Sequence, residues 1–261
     1  MSFFLEVSKK TANAAILGDM GWTPQTVLQR LAMCRQLCRY GHMSQSRINL
    51  HIINWAKQAN VNNWIDKVKK EYDTLNLTYL LDFSNQYSKN HIKFVSDVFM
   101  AKFREDWSNC LNKIEGIRGI GQNKLRTYRL FKDEYGTEAY VCDLHIKYGN
   151  RKALSLLRCG SAPISIETLR FKNGHHVPVE ERLCPVCKGE VEDEFHVVMN
   201  CEYYKDIRDE LYEHAQHFNQ LFNNLSNGEK FKYLMSNVDI VKFTAKACRH
   251  ILLRRNRYLI V

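Results

Sequence analysis

No stretch of this 261-residue sequence approaches the length and apolarity of a membrane span, and the opening MSFFLEVSKK has too few apolar residues before Glu6 to be a signal peptide. A disulfide framework is missing too. Nine cysteines are present, an odd number, and Cys34, Cys38, Cys110, Cys142, Cys159 and Cys248 are scattered without framework spacing. These absences fit a reducing compartment, so the expected location is intracellular, nucleus or cytoplasm, without a membrane. Residues 116–123, GIRGIGQN, place three glycines near Arg118 and Lys124, but the Lys-Ser/Thr ending of a phosphate loop is lacking, as is a preceding strand. They read as a flexible loop.

What the chain does have is apolar content for a core, 45% of residues, in a length that suits one large or two small domains. Net charge is +10, unevenly spread: +5 over residues 1–60, zero over 61–115, +5 over 116–183, −6 over 184–213 and +6 over 214–261. An acidic segment between basic neighbours implies that phosphate contacts to a nucleic acid would come from the flanks.

The acidic segment holds the strongest motif. Residues 183–204 read LCPVCKGEVEDEFHVVMNCEYY: Cys184, two residues, Cys187, eight residues, His196, four residues, Cys201. A CxxC pair brings two thiolates onto one ion through a tight turn, and a His and a Cys at short spacing complete a tetrahedron. One structural zinc on Cys184, Cys187, His196 and Cys201 is the expectation. With four protein ligands no position is left for a reacting water, which argues against a catalytic zinc or a hydrolase. Glu192, Asp193 and Glu194 stand where they could cap a short helix bearing Phe195, Val198 and Met199, and one of them could fix the His196 tautomer. Zinc binding contributes about 10 to 16 kcal/mol of apparent folding energy in peptides of this kind.

Elsewhere the apolar spacing is helical. Thr23-Pro24 reads as a helix start, with Val27, Leu28, Leu31, Cys34, Leu37 and Cys38 recurring towards Gly41. Cys34, Cys38 and His42 also share a four-residue spacing, for which buried thiols on an apolar face are the plainer account. Further helices are expected over residues 49–58, 64–75 after an Asn62-Asn63 cap, and 88–111 with Ile92, Val95, Phe99, Phe103 and Trp107 facing a core.

Residues 123–136, NKLRTYRLFKDEYG, interleave Leu125, Tyr128 and Phe131 with Arg126, Arg129 and Lys132. Two readings stand: a nucleic-acid strand taken by rings and cations, or a surface helix with a solvated basic face. A helix through Ala153, Leu154, Leu156 and Leu157 follows, then an extended link across residues 161–166, with His175 and His176 as spare ligands. Beyond the cluster, residues 204–218 are helical in pattern and 223–228 a turn. In the last segment Val238, Val241, Ala245, Cys248 and Leu252 form one face, with Lys242, Lys246 and Arg249 adjoining and Arg254 and Arg255 after them. The basic face would bind nucleic acid, be solvated, or meet a partner helix.

The order LR.G, IET.R, RLC..C, EDE.H, C..Y...R, carried here by residues 157–160, 166–170, 182–187, Glu192 to Glu194 with His196, and Cys201, Tyr204 and Arg208, resembles the zinc-binding C-terminal region of invertebrate non-LTR retrotransposon reverse transcriptases. The upstream ILGDMGW and KLRTYRLFKDEY are similar to segments lying between polymerase core and zinc module in that family. The likeness is dense over residues 153–211 and looser elsewhere. It implies a module that helps a larger enzyme hold RNA template or DNA target, and it carries over only the four zinc ligands. The chain departs from the family's polymerase in having no YxDD, and no endonuclease constellation or carboxylate pair for magnesium is recognisable. It therefore reads as a fragment of a retrotransposon reading frame or a small protein derived from one.

The sequence thus predicts a mainly α-helical chain: a helical region over residues 1–145, a helix plus extended link over 146–183, a CCHC zinc module over 184–213 and a C-terminal helical segment over 214–261. The expected function is zinc-stabilised RNA or DNA binding without catalysis, through Arg118, Lys124, Arg126, Tyr128, Arg129, Lys132, Lys242, Lys246, Arg249, Arg254 and Arg255. The alternative is a protein-interaction module in which the acidic zinc unit, with Glu192, Asp193 and Glu194, and the C-terminal helix dock a separately encoded polymerase or other partner.

Overall fold

A computed structural model describes residues 5–7, 11–41, 43–58, 64–78, 89–112, 115–116, 119–120 and 124–260. The protein is mainly α-helical, with two two-stranded antiparallel ribbons among the described residues. It divides into two compact units, residues 23–106 and residues 1–22 with 107–261. His42, the Asn62-Asn63 cap, Arg118 and most of the glycine-rich loop lie outside the described residues, as does the Cys38 side chain.

Residues 23–106 build a helical core. Helices Gln25–Gly41, Ile48–Gln58, Trp64–Thr74 and Lys89–Asn112, the last of which belongs to this unit up to residue 106, carry their apolar residues at three- and four-residue spacing. Val27, Leu31, Cys34, Leu37, Val68, Tyr72, Val95 and Phe99 meet in one cluster, so Cys34 is a core side chain. Thr23 does not act as the expected cap: its hydroxyl points to the Met100 sulfur, 3.9 Å away. The second helix keeps Ile53 inside but leaves Ile48, Ile52 and Trp55 at 72%, 54% and 67% exposure.

The other unit begins with helix α1, Asn13–Met20, which stops at Gly21. Gly21 has φ +63°, and a Cβ there would lie 2.4 Å from the Thr137 hydroxyl oxygen, so both backbone and space demand glycine. The chain re-enters after residue 106 and reaches residues 124–136. There it forms turns and one short 3₁₀ segment, Tyr128–Leu130, in place of a surface helix. Short helix α2 (Ala139–Cys142) and helix α3 (Tyr148–Arg158) follow. The expected extended link is only half right, because Ile164 is extended but Ser165–Thr168 closes a helical turn. Strands β1 (Phe171–Lys172) and β2 (His175–His176) then pair as a tight hairpin.

Three helices complete the unit: α4 (Lys205–Phe218), α5 (Asn227–Ser236) and α6 (Val241–Ile260). Helix α5 starts where a plain turn is expected. Ser226 accepts from the Glu229 N–H, and the Glu229 carboxylate accepts from the Ser226 N–H, a reciprocal capping box that Ser-x-x-Glu announces in the sequence. Helix α6 buries Val241, Ala245, Cys248 and Leu252 as expected, packing mainly along α3, while Val238 lies before it, 64% exposed. Among the described residues no helix is long and apolar enough to cross a membrane.

At the centre of this unit two fully buried charges meet. Arg158, at the end of α3, places its Nε 2.9 Å from Oδ2 and its Nη2 2.8 Å from Oδ1 of Asp19. Tyr128 and Tyr140 donate their hydroxyls to the same carboxylate at 2.8 and 2.7 Å. Nη1 of Arg158 donates to the Met235 carbonyl, and the guanidinium lies over the rings of Phe131 and Tyr140. Five separate segments, α1, residues 128–131, α2, α3 and α5, are thereby joined at one ion pair.

Candidate metal centre

The first half of the site is a knuckle made by a narrow ribbon. Leu183 and Val191 bridge in antiparallel fashion, Cys184 N–H donates to Glu190 O at 2.8 Å, and Lys188 N–H closes back on Cys184 O at 2.9 Å. Lys188 adopts φ +58°, a left-handed conformation that non-glycine residues visit at a cost. The turn aims the Val186 and Cys187 amides at the Cys184 sulfur.

The second half comes from a widened helical turn, His196–Asn200. In a regular α-helix, residues five apart point about 140° away from each other. Here Cys201 N–H donates to His196 O at 2.9 Å, a wider ring that returns Cys201 towards His196. Asp193 caps the turn by accepting from His196 N–H at 2.7 Å, as an acidic cap should.

The four ligand atoms converge: Cys184 Sγ, Cys187 Sγ, Cys201 Sγ and one His196 ring nitrogen all lie within 4.8 Å of one another. Cys184 and Cys201 sulfurs are 4.0 Å apart, and Cys187 Sγ is 3.4 Å from His196 Nε2. A tetrahedral ion with ordinary metal–thiolate and metal–imidazole bonds separates sulfurs by about 3.8 Å and sulfur from nitrogen by about 3.6 Å. The set is therefore dimensioned for one metal ion.

His196 Nδ1 lies 2.7 Å from Glu190 Oε2, so a proton held on Nδ1 leaves the Nε2 lone pair facing the sulfurs. The orienting carboxylate is Glu190, not one of the three acids expected. Without an ion, burial disfavours the Cys184 thiolate, but the His196 bond and the two amides outweigh it and bring the thiol down to about 7. Burial also opposes the His196 imidazolium, yet Cys184 and Glu190 raise it to about 9. Cys201, dominated by burial, is pushed up to about 12. The pocket thus favours one thiolate beside a protonated imidazole, a charge arrangement that a cation can replace.

The acidic residues around the ligands are clamps. Fully buried Glu192 forms a two-pronged pair with Arg255 of α6, Oε1 to Nε 2.6 Å and Oε2 to Nη2 2.7 Å, and accepts from Ser165 N–H at 2.6 Å. Glu194, equally buried, takes Arg126 and, at 3.1 Å, the Thr127 hydroxyl. Arg182 is enclosed as well, donating to the carbonyls of Ile166 and Val177. The knuckle is riveted to the helices by its own charges, so Glu192, Asp193 and Glu194 do not form an outward acidic face.

The expected basic contacts are divided by the same logic. Tyr128 is fully buried on Asp19; Lys132 is buried with Glu138 at 2.5 Å; Arg126 spans Glu167 and Glu194; Arg255 is spent on Glu192. These four are corrected from phosphate contacts to internal partners. Arg129 is half-buried and donates to the Arg126 carbonyl, and Arg254 holds Asp206 with both arms. Lys124 pairs with Glu167 at 3.1 Å. Lys242, Lys246 and Arg249 remain exposed, with Lys246 2.8 Å from Glu210 and Arg249 3.4 Å from Asn150 Oδ1. His175 and His176 sit on the exposed hairpin, apart from the ligand cluster.

No family model, curated protein or solved structure matches this chain.

Proposed function

We propose that the protein is a zinc-stabilised nucleic-acid-binding module of the kind that accompanies a retrotransposon reverse transcriptase, with no catalysis of its own. The observation that carries this reading is the closed Cys₃His set, inside a chain of net charge +10. Three thiolates and an imidazole at tetrahedral spacing suit zinc, whose ligand preference is sulfur and nitrogen, and four protein ligands leave it a structural role. The ion would fix the knuckle, and the knuckle in turn holds α6 through Glu192 and Arg255, so that metal binding sets the geometry of the basic helix. The resemblance of residues 153–211 to the reverse-transcriptase region agrees with this use. Binding of labelled RNA and DNA across a salt series tests it: steep loss of affinity with salt is expected, and absence of binding at low salt contradicts it.

A second reading, docking to a separate polymerase or another protein, is favoured by a different feature. Ile48, Ile52 and Trp55 stand exposed at i, i+4 and i+7 on one helix, the spacing with which helices enter apolar grooves. Capture of a purified polymerase core that disappears in Trp55→Glu, with nucleic-acid binding unchanged, would select it.

A further inference from the structure

Much of the expected phosphate-binding charge is consumed inside the fold, but Lys124 and Arg170, although both pair with Glu167, stand beside open space. Next to the knuckle, a cleft of about 420 Å³ opens between Lys124, Pro163, Glu167, Arg170 and Phe171. That volume lies within the roughly 300 to 1,000 Å³ of ordinary ligand sites. It is tied to the metal module by Ile166 N–H, which donates to Glu192 O at 3.0 Å.

The cleft is positively charged by construction. Glu167 Oε1 accepts from Arg126 at 2.9 Å and Arg170 at 2.8 Å, while Oε2 receives Lys124 at 3.1 Å. Three cations share that carboxylate, and adding Glu194 on Arg126 still leaves an excess of one. The Lys124 backbone packs closely on Gly160, which has φ +60° and where a Cβ would stand 2.2 Å from the Lys124 carbonyl oxygen. Beside these cations Phe171 begins the hairpin, 51% exposed, with His176 against its edge at 5.8 Å and exposed Lys172 and His175 as neighbours. A half-exposed ring beside a cation-lined cleft is the combination on which unpaired bases stack while their phosphates are held.

We propose that this cleft and hairpin bind single-stranded nucleic acid, one unpaired base stacking on Phe171, its phosphate lying between Lys124 and Arg170 and the next phosphate meeting Lys172. The proposal rests on the nucleic-acid reading above and adds the strand type and the place. A duplex cannot use the site in this way, because its bases are already stacked on both faces.

The test uses the full zinc-loaded chain and anisotropy titrations with labelled oligouridine, oligodeoxyuridine and a mixed-sequence duplex of the same length. Phe171→Ala is expected to weaken single-strand binding roughly 5- to 150-fold, Phe171→Trp to restore it, and duplex binding to stay unchanged in both. Whichever single strand shows the larger loss identifies the sugar the site accepts. Unchanged single-strand binding in Phe171→Ala, or an equal loss on duplex, overturns this site while the module's nucleic-acid binding stands. Failure of the wild-type chain to bind any of the three overturns both. Phe171 is exposed on a hairpin, and retained zinc content in each variant shows that the fold persists.

Discussion

Asp19 and Arg158, 139 residues apart in sequence, meet as a fully buried two-pronged ion pair that organises the larger unit. Each lies in a short segment singled out by its sequence, ILGDMGW and LLRCG, and the pair is the reason these segments belong together. A buried charge without its partner is costly, whereas removal of both charges is tolerated far better.

Arg158→Met should destabilise the protein by about 3 to 5 kcal/mol, because it leaves the Asp19 carboxylate enclosed without a cation, and Asp19→Asn should cost less, because Arg158 keeps Glu138 at 3.2 Å. The double variant Asp19→Asn/Arg158→Met should lose less than the sum of the singles. Urea unfolding midpoints measure this, and strictly additive losses would mean that the two side chains are not coupled.

The same pair sets an acid limit. Burial raises the Asp19 pKa, but the charge of Arg158 and the bonds from Arg158, Tyr140 and Tyr128 outweigh it, holding it below the ordinary value of 3.8. A carboxyl with a depressed folded-state pKa contributes its full stability above about pH 4 and loses it as pH falls through the folded value. Stability plotted against pH should drop below about pH 4 in the wild type and drop less steeply in Asp19→Asn.

Glu190 should matter to the metal without touching it. Its bond to His196 Nδ1 orients the ring, and carboxylates that hold a ligand histidine in this way alter metal affinity about 10- to 100-fold. Competition with a chromophoric chelator should show that loss in Glu190→Ala and little change in Glu181→Ala, whose carboxylate lies outside the ligand set.

Buried and exposed cations should separate in their salt dependence. Replacing exposed Lys242 and Arg249 by alanine should lower the slope of log affinity against log salt by about 0.7 to 0.9 for each phosphate no longer neutralised, with little effect on unfolding. Arg126→Ala should do the reverse, lowering stability through stranded Glu194 and leaving the slope in place. A slope that falls equally in both would place Arg126 on the nucleic acid.

The parts of this fold written locally are legible in the sequence. Ile92, Val95, Phe99, Phe103 and Trp107 recur at helical spacing, and their helix runs from Lys89 to Asn112 against an expected 88–111. The four ligands follow from spacing alone, since a CxxC turn and a His–Cys pair need few other residues to converge. What escapes depends on partners distant in sequence. Tyr128 and Lys132 look like surface contacts beside Arg129 until Asp19 and Glu138 claim them. Glu192 and Glu194 resemble an acidic patch, and only the docking of α6 and of residues 124–127 turns them inward. The role of Glu190 is hidden because the widened turn after His196, which decides where the ring points, leaves no periodic mark. The capping box at Ser226 differs from these: Ser-x-x-Glu is a local signal, and a helix start at residues 226–229 could have been expected from it in place of a turn.

Metal content of the purified chain, measured by mass spectrometry under native conditions beside Cys184→Ser, decides whether the Cys₃His set holds zinc. One zinc ion per wild-type chain, lost or greatly weakened in the variant together with the folded knuckle, is the result expected from the converging ligand set. A folded wild-type chain that takes up no zinc, or a variant that retains it undiminished, would contradict the account.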